Sequence, residues 1–265
     1  MSTTSMVDKM RVTAYASNAA AGAAAAGDLA QILRTAVEER GEAAVILATG
    51  NSQLSFIKAL GGITAVPWNK ISVFHMDEYI GIPEDHPASF RRYMREKLVQ
   101  AAHPKTFFGI KGDAPDLEQE MERYSALLRE HRPVACVMGI GENGHLAFND
   151  PPVDFHTERD LAIVTLDAAS RRQQVGEGHF ARVDDVPRHA ITLTIPALLA
   201  PPHVLVVVPE GRKAAAVQKA LEGPVTPACP ASILRTCSHA MVYLDQESAA
   251  FLQRGEGYGR GQHAL

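Results

Sequence analysis

The chain alternates short apolar runs with helical stretches, and two of the runs lead through a polar turn into a helix. Val45–Leu47 leads through Thr49-Gly50-Asn51-Ser52 into a helix at Leu54–Leu60, and Val204–Val208 leads through Pro209-Glu210-Gly211 into a helix at Lys213–Leu221. Further strands are predicted at Ile71–Phe74, Val134–Ile140, Ile163–Leu166, His189–Ile195 and Ala240–Leu244. Such alternation predicts an α/β fold, with a mostly parallel sheet and helices on both faces.

Further helices are predicted outside these strand–helix pairs. An Ala-rich helix is expected at about Asn18–Arg40, before the first strand, a charged one at Leu117–His131, and a short one at Gln246–Gln253. No Pro/Gly/Ser-rich linker separates two cores, so a single domain over 1–265 is predicted, with a flexible Gly-rich tail at 255–265.

Composition excludes several classes of protein. A net charge of -4 and a pI near 6.3 provide no basic field for nucleic acid, so any phosphate must be held locally. Three cysteines without a CxxC pair argue against disulfides and structural zinc. Residues 1–11 lack a signal-peptide pattern, and Ala19–Ala26 is too short to span a bilayer. We therefore expect a cytoplasmic protein without a membrane partner, either a monomer or a homo-oligomer.

Two of the turns after strands could hold an anion. In parallel sheets, ligands bind beyond the carboxyl ends of the strands. The glycine and hydroxyls of Thr49-Gly50-Asn51-Ser52, at a helix start, are typical of an anion cradle, although simple N-capping by Asn51 or Ser52 explains them equally well. Lys213 opposes the dipole of its own helix, which indicates a nearby anion such as a phosphate, with a solvated lysine as the alternative.

Two adjacent carboxylates follow the strand at Ile71–Phe74, in the segment His75-Met76-Asp77-Glu78-Tyr79. Either Asp77 or Glu78 could act as a general acid or base if it is partly desolvated. A solvated loop before the next helix, which is expected to start near Phe90, is the alternative, and this segment alone does not decide between them.

The segment from Gly139 to Asp150 is the strongest indication of a catalytic site. Its three glycines, Gly139, Gly141 and Gly144, require an unusual backbone path. His145 follows them, with the carboxylate of Asp150 five residues later. A histidine beside a carboxylate has a defined tautomer and titrates near neutrality, as a proton shuttle requires.

Taken together, these segments resemble the glucosamine-6-phosphate deaminase family. The resemblance is carried by Met76-Asp77-Glu78-Tyr79, His86-Pro87-Ala88-Ser89 and Gly144-His145-Leu146-Ala147-Phe148-Asn149. The related 6-phosphogluconolactonases typically have Asp-Glu-Arg and Gly-His-Thr-Ala-Ser at the first and third of these. The resemblance implies a Rossmann-like fold and conversion of glucosamine-6-phosphate, or an epimer such as galactosamine-6-phosphate, to the ketose 6-phosphate and ammonia, without a metal or cofactor.

The resemblance also implies roles for individual residues. Asp77 would move a proton between C2 and C1 of the open-chain sugar, with Glu78 as the second candidate, and His145 would assist ring opening. The 6-phosphate would be held by the following residues: Thr49, Gly50, Asn51, Ser52, Lys213 and an arginine of the family's lid, for which Arg171 is the candidate, ahead of Arg172 and His179.

Two residues near His145 depart from the family pattern. Asn143 stands where the family usually has an aspartate, and Asp150 stands where it usually has a glutamate; both family carboxylates orient the histidine. Asn143 is expected to orient the ring by a hydrogen bond without stabilising its cationic form. The sequence therefore predicts a site with altered proton affinity.

Three alternatives compete with a deaminase. A lactonase would hold the substrate phosphate with the same residues and would use His145 to activate water. A sugar-phosphate sensor would need an N-terminal DNA-binding helix pair, which the Ala-rich start does not resemble. A metal hydrolase built from His75, Asp77 and His145 is disfavoured because no spacing such as HExxH is present.

Overall fold

The computed structural model describes residues 2–253. The strands within this range are, in chain order, β1 (Thr3–Val7), β2 (Met10–Tyr15), β3 (Ala43–Leu47), β4 (Ile71–His75), β5 (Asp77–Tyr79), β6 (Thr106–Phe108), β7 (Ala135–Met138), β8 (Leu161–Thr165), β9 (His189–Leu193), β10 (His203–Val208) and β11 (Ala240–Asp245). The helices are α1 (Asn18–Arg40), α2 (Leu54–Gly61), α3 (Phe90–Met94), α4 (Gln100–Ala102), α5 (Leu117–His131), α6 (Ala168–Gly176), α7 (Ile195–Leu199) and α8 (Ala214–Glu222).

Eight of these strands form one large sheet in the order β1-β2-β11-β10-β7-β3-β4-β6. Within it β1 runs antiparallel to β2, and the other neighbouring strands are parallel. The chain moves outward from β3 to β4 and β6 on one side, and from β7 to β10 and β11 on the other. The boundary between β3 and β7 is therefore a topological switch point, where open α/β sheets bind their ligands.

Helices cover both faces of the large sheet, as the sequence predicts. Val45 and Leu47 of β3 pack with α1 and α2, whereas Ala44 and Ile46 pack on the opposite face with α5 and α8. All five residues of β3 are buried. Strands buried on both faces appear in sequence as continuous apolar runs, which is why this part of the fold could be predicted.

The remaining strands form a small antiparallel sheet in the order β5-β9-β8. The strands predicted at Ile163–Leu166 and His189–Ile195 therefore exist, but they pair with each other outside the parallel sheet. Their partner β5 contains the two adjacent carboxylates, and Asp77 lies opposite Thr192 in the ladder. The small sheet thus holds Asp77 in a strand rather than in a solvated loop.

The first long helix shows how local sequence sets its ends. The Ser17 side chain accepts a hydrogen bond from the backbone N–H of Ala20 at the start of α1, and Gly41 ends the helix with φ 80°. A Cβ on Gly22 would lie 2.8 Å from the backbone nitrogen of Phe56, so glycine lets α1 approach α2 closely. The predicted range Asn18–Arg40 is confirmed.

Some predictions about the chain ends were wrong. The first strands are β1 and β2, before α1, and the sequence analysis missed them along with the short β6. Residues 246–253 form successive turns and no helix, because Asp245 and Ser248 cap each other's backbone N–H groups and the bonds that follow do not keep one spacing. The predicted flexible tail, 255–265, lies outside the described residues. None of the helices within 2–253 has the length and apolarity to cross a bilayer.

Candidate active site

Four adjacent parallel strands, β10, β7, β3 and β4, direct their carboxyl ends towards one cavity. The segments that follow these strands contribute Lys213, His145, Gly50 and Asp77 in turn. Gly50 lines the cavity together with the following polar residues: Thr49, Ser52, Gln53, Asp77, His145, Gln173, Gln174, Glu177 and Lys213. We call the strand-end residues the floor of the cavity, and α6 with Glu177, which lie over it, the cover.

The loop after β3 and the start of α8 face each other across one end of the cavity. Gly50 adopts φ 100°, a backbone conformation that favours glycine, and a 3-10 turn at Asn51–Gln53 follows it. Lys213 is only 2% exposed, and burial, with the nearby Arg212 charge, lowers the pKa of its ammonium group. A buried cation beside a glycine turn is suited to bind an anion. We call this end the anion cradle.

Asn51 does not contribute its side chain to the anion cradle. Its Nδ2 donates a hydrogen bond to the backbone carbonyl of Glu177 at 3.0 Å, and Asn51 does not line the cavity. The expectation that its side chain holds an anion is therefore corrected: Asn51 fastens the cover to the floor.

Asp77 follows β4, the neighbour of β3 in the sheet, lines the cavity floor and is 6% exposed. Burial raises its pKa well above that of an ordinary carboxyl group, and the adjacent charge of Glu78 raises it further. A carboxyl group with a raised pKa exchanges protons closer to neutral pH, as a general acid or base must.

Glu78 has a structural position, in contrast to its neighbour. Its carboxylate is fully buried and accepts hydrogen bonds from Ser89 Oγ at 2.8 Å and from the backbone N–H groups of Phe90 and Arg91 at 3.1 and 3.0 Å. It also pairs with the Arg91 guanidinium at 3.3 Å. Glu78 does not line the cavity, so its candidacy as an alternative base is corrected: it anchors the start of α3.

His145 is held against the floor by its surroundings. A Cβ on Gly141 would lie 2.2 Å from the imidazole, so only glycine leaves room for the ring. Nδ1 lies 3.2 Å from Asp150 Oδ1 and 3.1 Å from Ser170 Oγ. Nδ1 is thus engaged, and Nε2 remains to exchange a proton with a ligand in the cavity.

Asp150 supports His145 as an ionised group. Burial alone would raise its pKa, but the hydrogen bond and charge of His145, the Ser170 hydroxyl and the Asp167 backbone N–H together lower the pKa to about 2. Asp77 and Asp150 therefore have pKa values shifted in opposite directions within one site, which separates a proton-exchanging carboxyl group from a permanently charged one.

Asn143 does not contact the imidazole, which corrects the expectation that it orients the ring directly. Its Nδ2 donates to Asp150 Oδ1 at 3.0 Å and to Asp167 Oδ2 at 3.1 Å, and its Oδ1 accepts from the His145 backbone N–H. The asparagine thus bridges two carboxylates. Because Asp167 already supplies a second negative charge, a neutral donor at position 143 is the residue that satisfies both.

Arg171 points away from the cavity and is corrected as a phosphate ligand. Its Nη2 donates to the backbone carbonyls of Val183 and Val186. The side chains of α6 that do reach the cavity are Gln173, Gln174 and, just beyond the helix, Glu177. None of these three residues was predicted from the sequence, because only the cationic side chains of this segment were considered as phosphate ligands.

Two further contacts set the position of α6. Asp167 caps the helix by accepting from the Ser170 backbone N–H at 2.6 Å, and Tyr79 Oη donates to Gln174 Oε1 at 2.7 Å. The Asp167–Ser170 capping pair and the spacing of Gln173 and Glu177 were the sequence signals that could have revealed the cover.

His75 is separate from the site. It is completely buried, and its Nε2 accepts a hydrogen bond from the Ile110 backbone N–H at 2.7 Å. Burial, followed by the charge of Arg91, lowers its pKa to about 3, so it is neutral. His75 does not line the cavity with Asp77 and His145, so the three do not form the arrangement that a metal hydrolase would need.

An acid/base pair and an anion cradle in one cavity at a switch point are characteristic of enzymes acting on small anionic molecules. The sequence model of the glucosamine-6-phosphate isomerases/6-phosphogluconolactonase family matches residues 16–243. The chain belongs to this family, and it is an enzyme with a small-molecule substrate.

Individual relatives agree with this assignment. The chain is 34% identical over 223 residues to a glucosamine-6-phosphate deaminase of Exiguobacterium sibiricum, covering 84% of this chain and 86% of that protein. A glucosamine-6-phosphate deaminase of Streptococcus equi subsp. zooepidemicus is 34% identical over 209 residues, covering 78% and 86%.

Solved structures extend the similarity to the fold. The structure of a monomeric glucosamine-6-phosphate deaminase matches 90% of this chain and 98% of its own with a TM-score of 0.82 and 30% identity. A 6-phosphogluconolactonase from Shewanella baltica matches 91% of this chain and 99% of its own with a TM-score of 0.75 at 20% identity, and so shares the fold.

Proposed function

We propose that this enzyme converts glucosamine-6-phosphate and water into the ketose 6-phosphate and ammonia. The observation that carries the proposal is the placement of Asp77 and His145 on one cavity floor with the anion cradle beside them. The identity to proteins named glucosamine-6-phosphate deaminase supports the same reaction.

The first step is opening of the pyranose ring. The bond between C1 and the ring oxygen breaks as the proton of the C1 hydroxyl leaves, and the ring oxygen gains a proton. His145 Nε2 is the group for this exchange, since Nδ1 faces Asp150 and Ser170. The ionised Asp150 stabilises the imidazolium form while the ring carries the extra proton.

The second step moves a proton from C2 to C1 of the open chain. Asp77 takes the C2 proton as a carboxylate and delivers a proton to C1, while the aldehyde oxygen gains a proton and the amine nitrogen loses one. The aldehyde and the amine thus become a hydroxymethyl group and an imine at C2. Water then adds to the imine and ammonia leaves. The raised pKa of Asp77 favours removal of the C2 proton, because a carboxylate whose conjugate acid has a higher pKa is a stronger base.

The 6-phosphate is assigned to the anion cradle. Thr49, Gly50 and Ser52 offer a glycine turn with hydroxyl donors, and Lys213 supplies the buried positive charge. Anchoring the phosphate at this end leaves the reacting carbons towards Asp77 and His145, so that binding energy at the phosphate can position C1 and C2.

The test is a product assay with matched substrates. Ammonia and ketose 6-phosphate are measured from glucosamine-6-phosphate and from its C4 epimer, galactosamine-6-phosphate, and acid release is measured from 6-phosphogluconolactone. We expect ammonia and ketose in equal amounts from at least one amino sugar. Acid release from the lactone without ammonia would assign a hydrolase, and binding without turnover of any of the three would assign a sensor.

A further inference from the structure

The carboxylate of Glu177 projects into the anion cradle. Glu177 follows α6 directly, lines the same cavity as Gly50 and Lys213, and its side chain is 6% exposed. A Cβ on Gly50 would lie 3.6 Å from Glu177 Oε2, which places the carboxylate over the glycine turn. A group of the chain itself thus lies where the substrate phosphate is expected.

The carboxylate is fixed in this position by several partners. Gln173 Nε2 donates to Oε1 at 2.9 Å, Arg212 Nη1 lies 3.3 Å from Oε1, and His179 Nε2 lies 3.6 Å from Oε2. Burial acts to raise the pKa of Glu177, but His179, the Lys213 charge and the Gln173 and Arg212 contacts outweigh it and lower the pKa to about 2. The group is therefore an anion at neutral pH.

Glu177 and a phosphate cannot occupy the anion cradle together. A phosphate in the cradle would lie against the ionised carboxylate of Glu177, and two like charges in contact repel each other. The space is also insufficient: the cavity measures about 70 Å³, whereas ligand pockets generally measure roughly 300–1,000 Å³. Binding of a hexose 6-phosphate requires the carboxylate to leave.

We infer that Glu177 is a specificity-determining residue that occupies the anion cradle and is displaced by the substrate's phosphate. This inference rests on the proposed function, since it assigns the phosphate to the same cradle. Only an anion that pairs with Lys213 better than a carboxylate does can displace Glu177. Neutral sugars gain nothing from the cradle and leave Glu177 in place, so the enzyme selects phosphorylated substrates by competition as well as by contact.

The surroundings of Glu177 provide a partner for the displaced carboxylate. Arg212 is one third exposed and also pairs with Glu142 at 3.0 Å and Glu210 at 2.5 Å, outside the cavity. Glu177 can turn outward and keep its contact with Arg212 while it releases Lys213. The displacement involves the last turn of α6 and leaves the Asp167–Ser170 cap in place.

Titration calorimetry with glucose 6-phosphate tests the inference, because this ligand carries the phosphate but no amino group and is not deaminated. Glu177→Gln keeps the shape and the Gln173 contact but removes the charge, and we expect its Kd to fall about tenfold, the effect of one charge-assisted interaction. Glu142→Gln is the matched control: it removes another charge beside Arg212 from outside the cavity, and its Kd should change less than twofold. Glu177→Ala serves if the glutamine variant is unfolded.

The results of this experiment distinguish failure of the displacement by phosphate from failure of the proposed function. A tenfold lower Kd in the Glu177 variants alone supports displacement. An unchanged or higher Kd overturns it, and a higher value means that Glu177 contacts the ligand, while hexose-phosphate binding and the proposed function stand. Equal tightening by Glu142→Gln also overturns it in favour of general charge repulsion. Absence of hexose 6-phosphate binding in the wild type and all variants overturns both.

Discussion

The floor and the cover of the cavity are built in different ways. The floor residues Gly50, Asp77, His145 and Lys213 follow buried strands whose positions are set by the core of the large sheet. The cover, α6 with Glu177, is held by individual polar contacts, such as the hydrogen bond from Tyr79 to Gln174. The floor is preorganised by the fold, whereas the cover can move when those contacts exchange.

This difference assigns different tasks to the two regions. In the proposed function, the floor supplies the groups that exchange protons and hold the phosphate, and these must be rigid for the reacting atoms to be aligned. The cover contacts these groups: Ser170 lies against His145 and Asp150, and Glu177 lines the anion cradle, for which we infer that it competes with the phosphate. Substitutions in the floor should therefore have larger effects on activity than substitutions in the cover.

The largest effect is expected for Asp77→Asn in the floor. Removing the base should lower kcat by roughly 10²–10⁴-fold. The pKa of Asp77 is raised on folding, so its contribution to stability is present at acid pH and is lost as the pH rises through the folded-state pKa. At pH 8 the asparagine variant should therefore have a higher Tm than the wild type.

Steady-state kinetics and thermal unfolding measure the two effects together. Asp184→Asn, on an exposed turn, is the control and should alter neither kcat nor Tm. An inactive variant with a lowered Tm would mean that Asp77 is a structural residue of the small sheet. It would then not be an example of a floor residue that acts in catalysis.

The second effect concerns the anion cradle. Lys213→Ala should weaken binding of glucose 6-phosphate by roughly 1.5–3 kcal/mol, the value of a hydrogen bond to a charged group. Lys219→Ala removes the same charge further along α8 and should leave the affinity within twofold, as calorimetry would show. Equal losses in both variants would attribute the binding to the general field of α8.

The third effect tests why an asparagine stands at position 143. Asn143→Asp removes the donor that bridges Asp150 and Asp167 and adds a third carboxylate, so we expect the free energy of unfolding to fall by about 1–3 kcal/mol in urea titrations. The double variant Asn143→Asp/Asp167→Asn restores one donor among the three groups and should recover most of the loss, since asparagine also caps helices.

Kinetic measurements on the same variants test a second hypothesis, that Asn143 limits the rate of deamination. If the departure from the family pattern at position 143 limits deamination, Asn143→Asp would instead be stable and faster, with the acid limb of its pH–rate profile moved to higher pH. That result would contradict the bridging role that the contacts of Asn143 indicate.

The smallest effect is expected in the cover, for Ser170→Ala. Loss of one hydroxyl contact to His145 and Asp150 is worth about 1 kcal/mol, or roughly a fivefold decrease in kcat. The pKa of Asp150 should rise from about 2. The ionised carboxylate stabilises the fold, and this stabilisation is lost as the pH falls through the pKa, so the variant should lose it at a higher pH than the wild type. Acid-unfolding midpoints measure this, with Ser170→Thr retaining the hydroxyl. Unchanged midpoints would mean that α6 does not support the histidine.

The sequence predicted the floor well because its signals are local. Buried strands such as β3 and β10 are continuous apolar runs, and the polar residues at their ends follow directly in the chain. Because the neighbouring strands are parallel, their carboxyl ends lie at one edge of the sheet. This arrangement brings together Lys213, His145, Gly50 and Asp77.

The cover could not be predicted in the same way because its contacts join distant residues. Nothing in the sequence near Glu177 indicates that it faces Gly50. Nor does the sequence show that the guanidinium of Arg171 donates to the carbonyl groups of Val183 and Val186, which come after α6. The strand β2 was missed for a similar reason, since its parallel partner β11 lies at the other end of the chain.

Solvent deuterium incorporation tests the central claim most directly, that Asp77 moves a proton between C2 and C1. The enzyme is incubated with glucosamine-6-phosphate in deuterium oxide, and deuterium at C1 of the ketose product is measured by NMR for the wild type and Asp77→Asn. We expect deuterium at C1 with the wild type, and no exchange above background with the variant, although glucose 6-phosphate still binds to it. Incorporation at the wild-type rate in Asp77→Asn would contradict the account, because another group would then carry the proton.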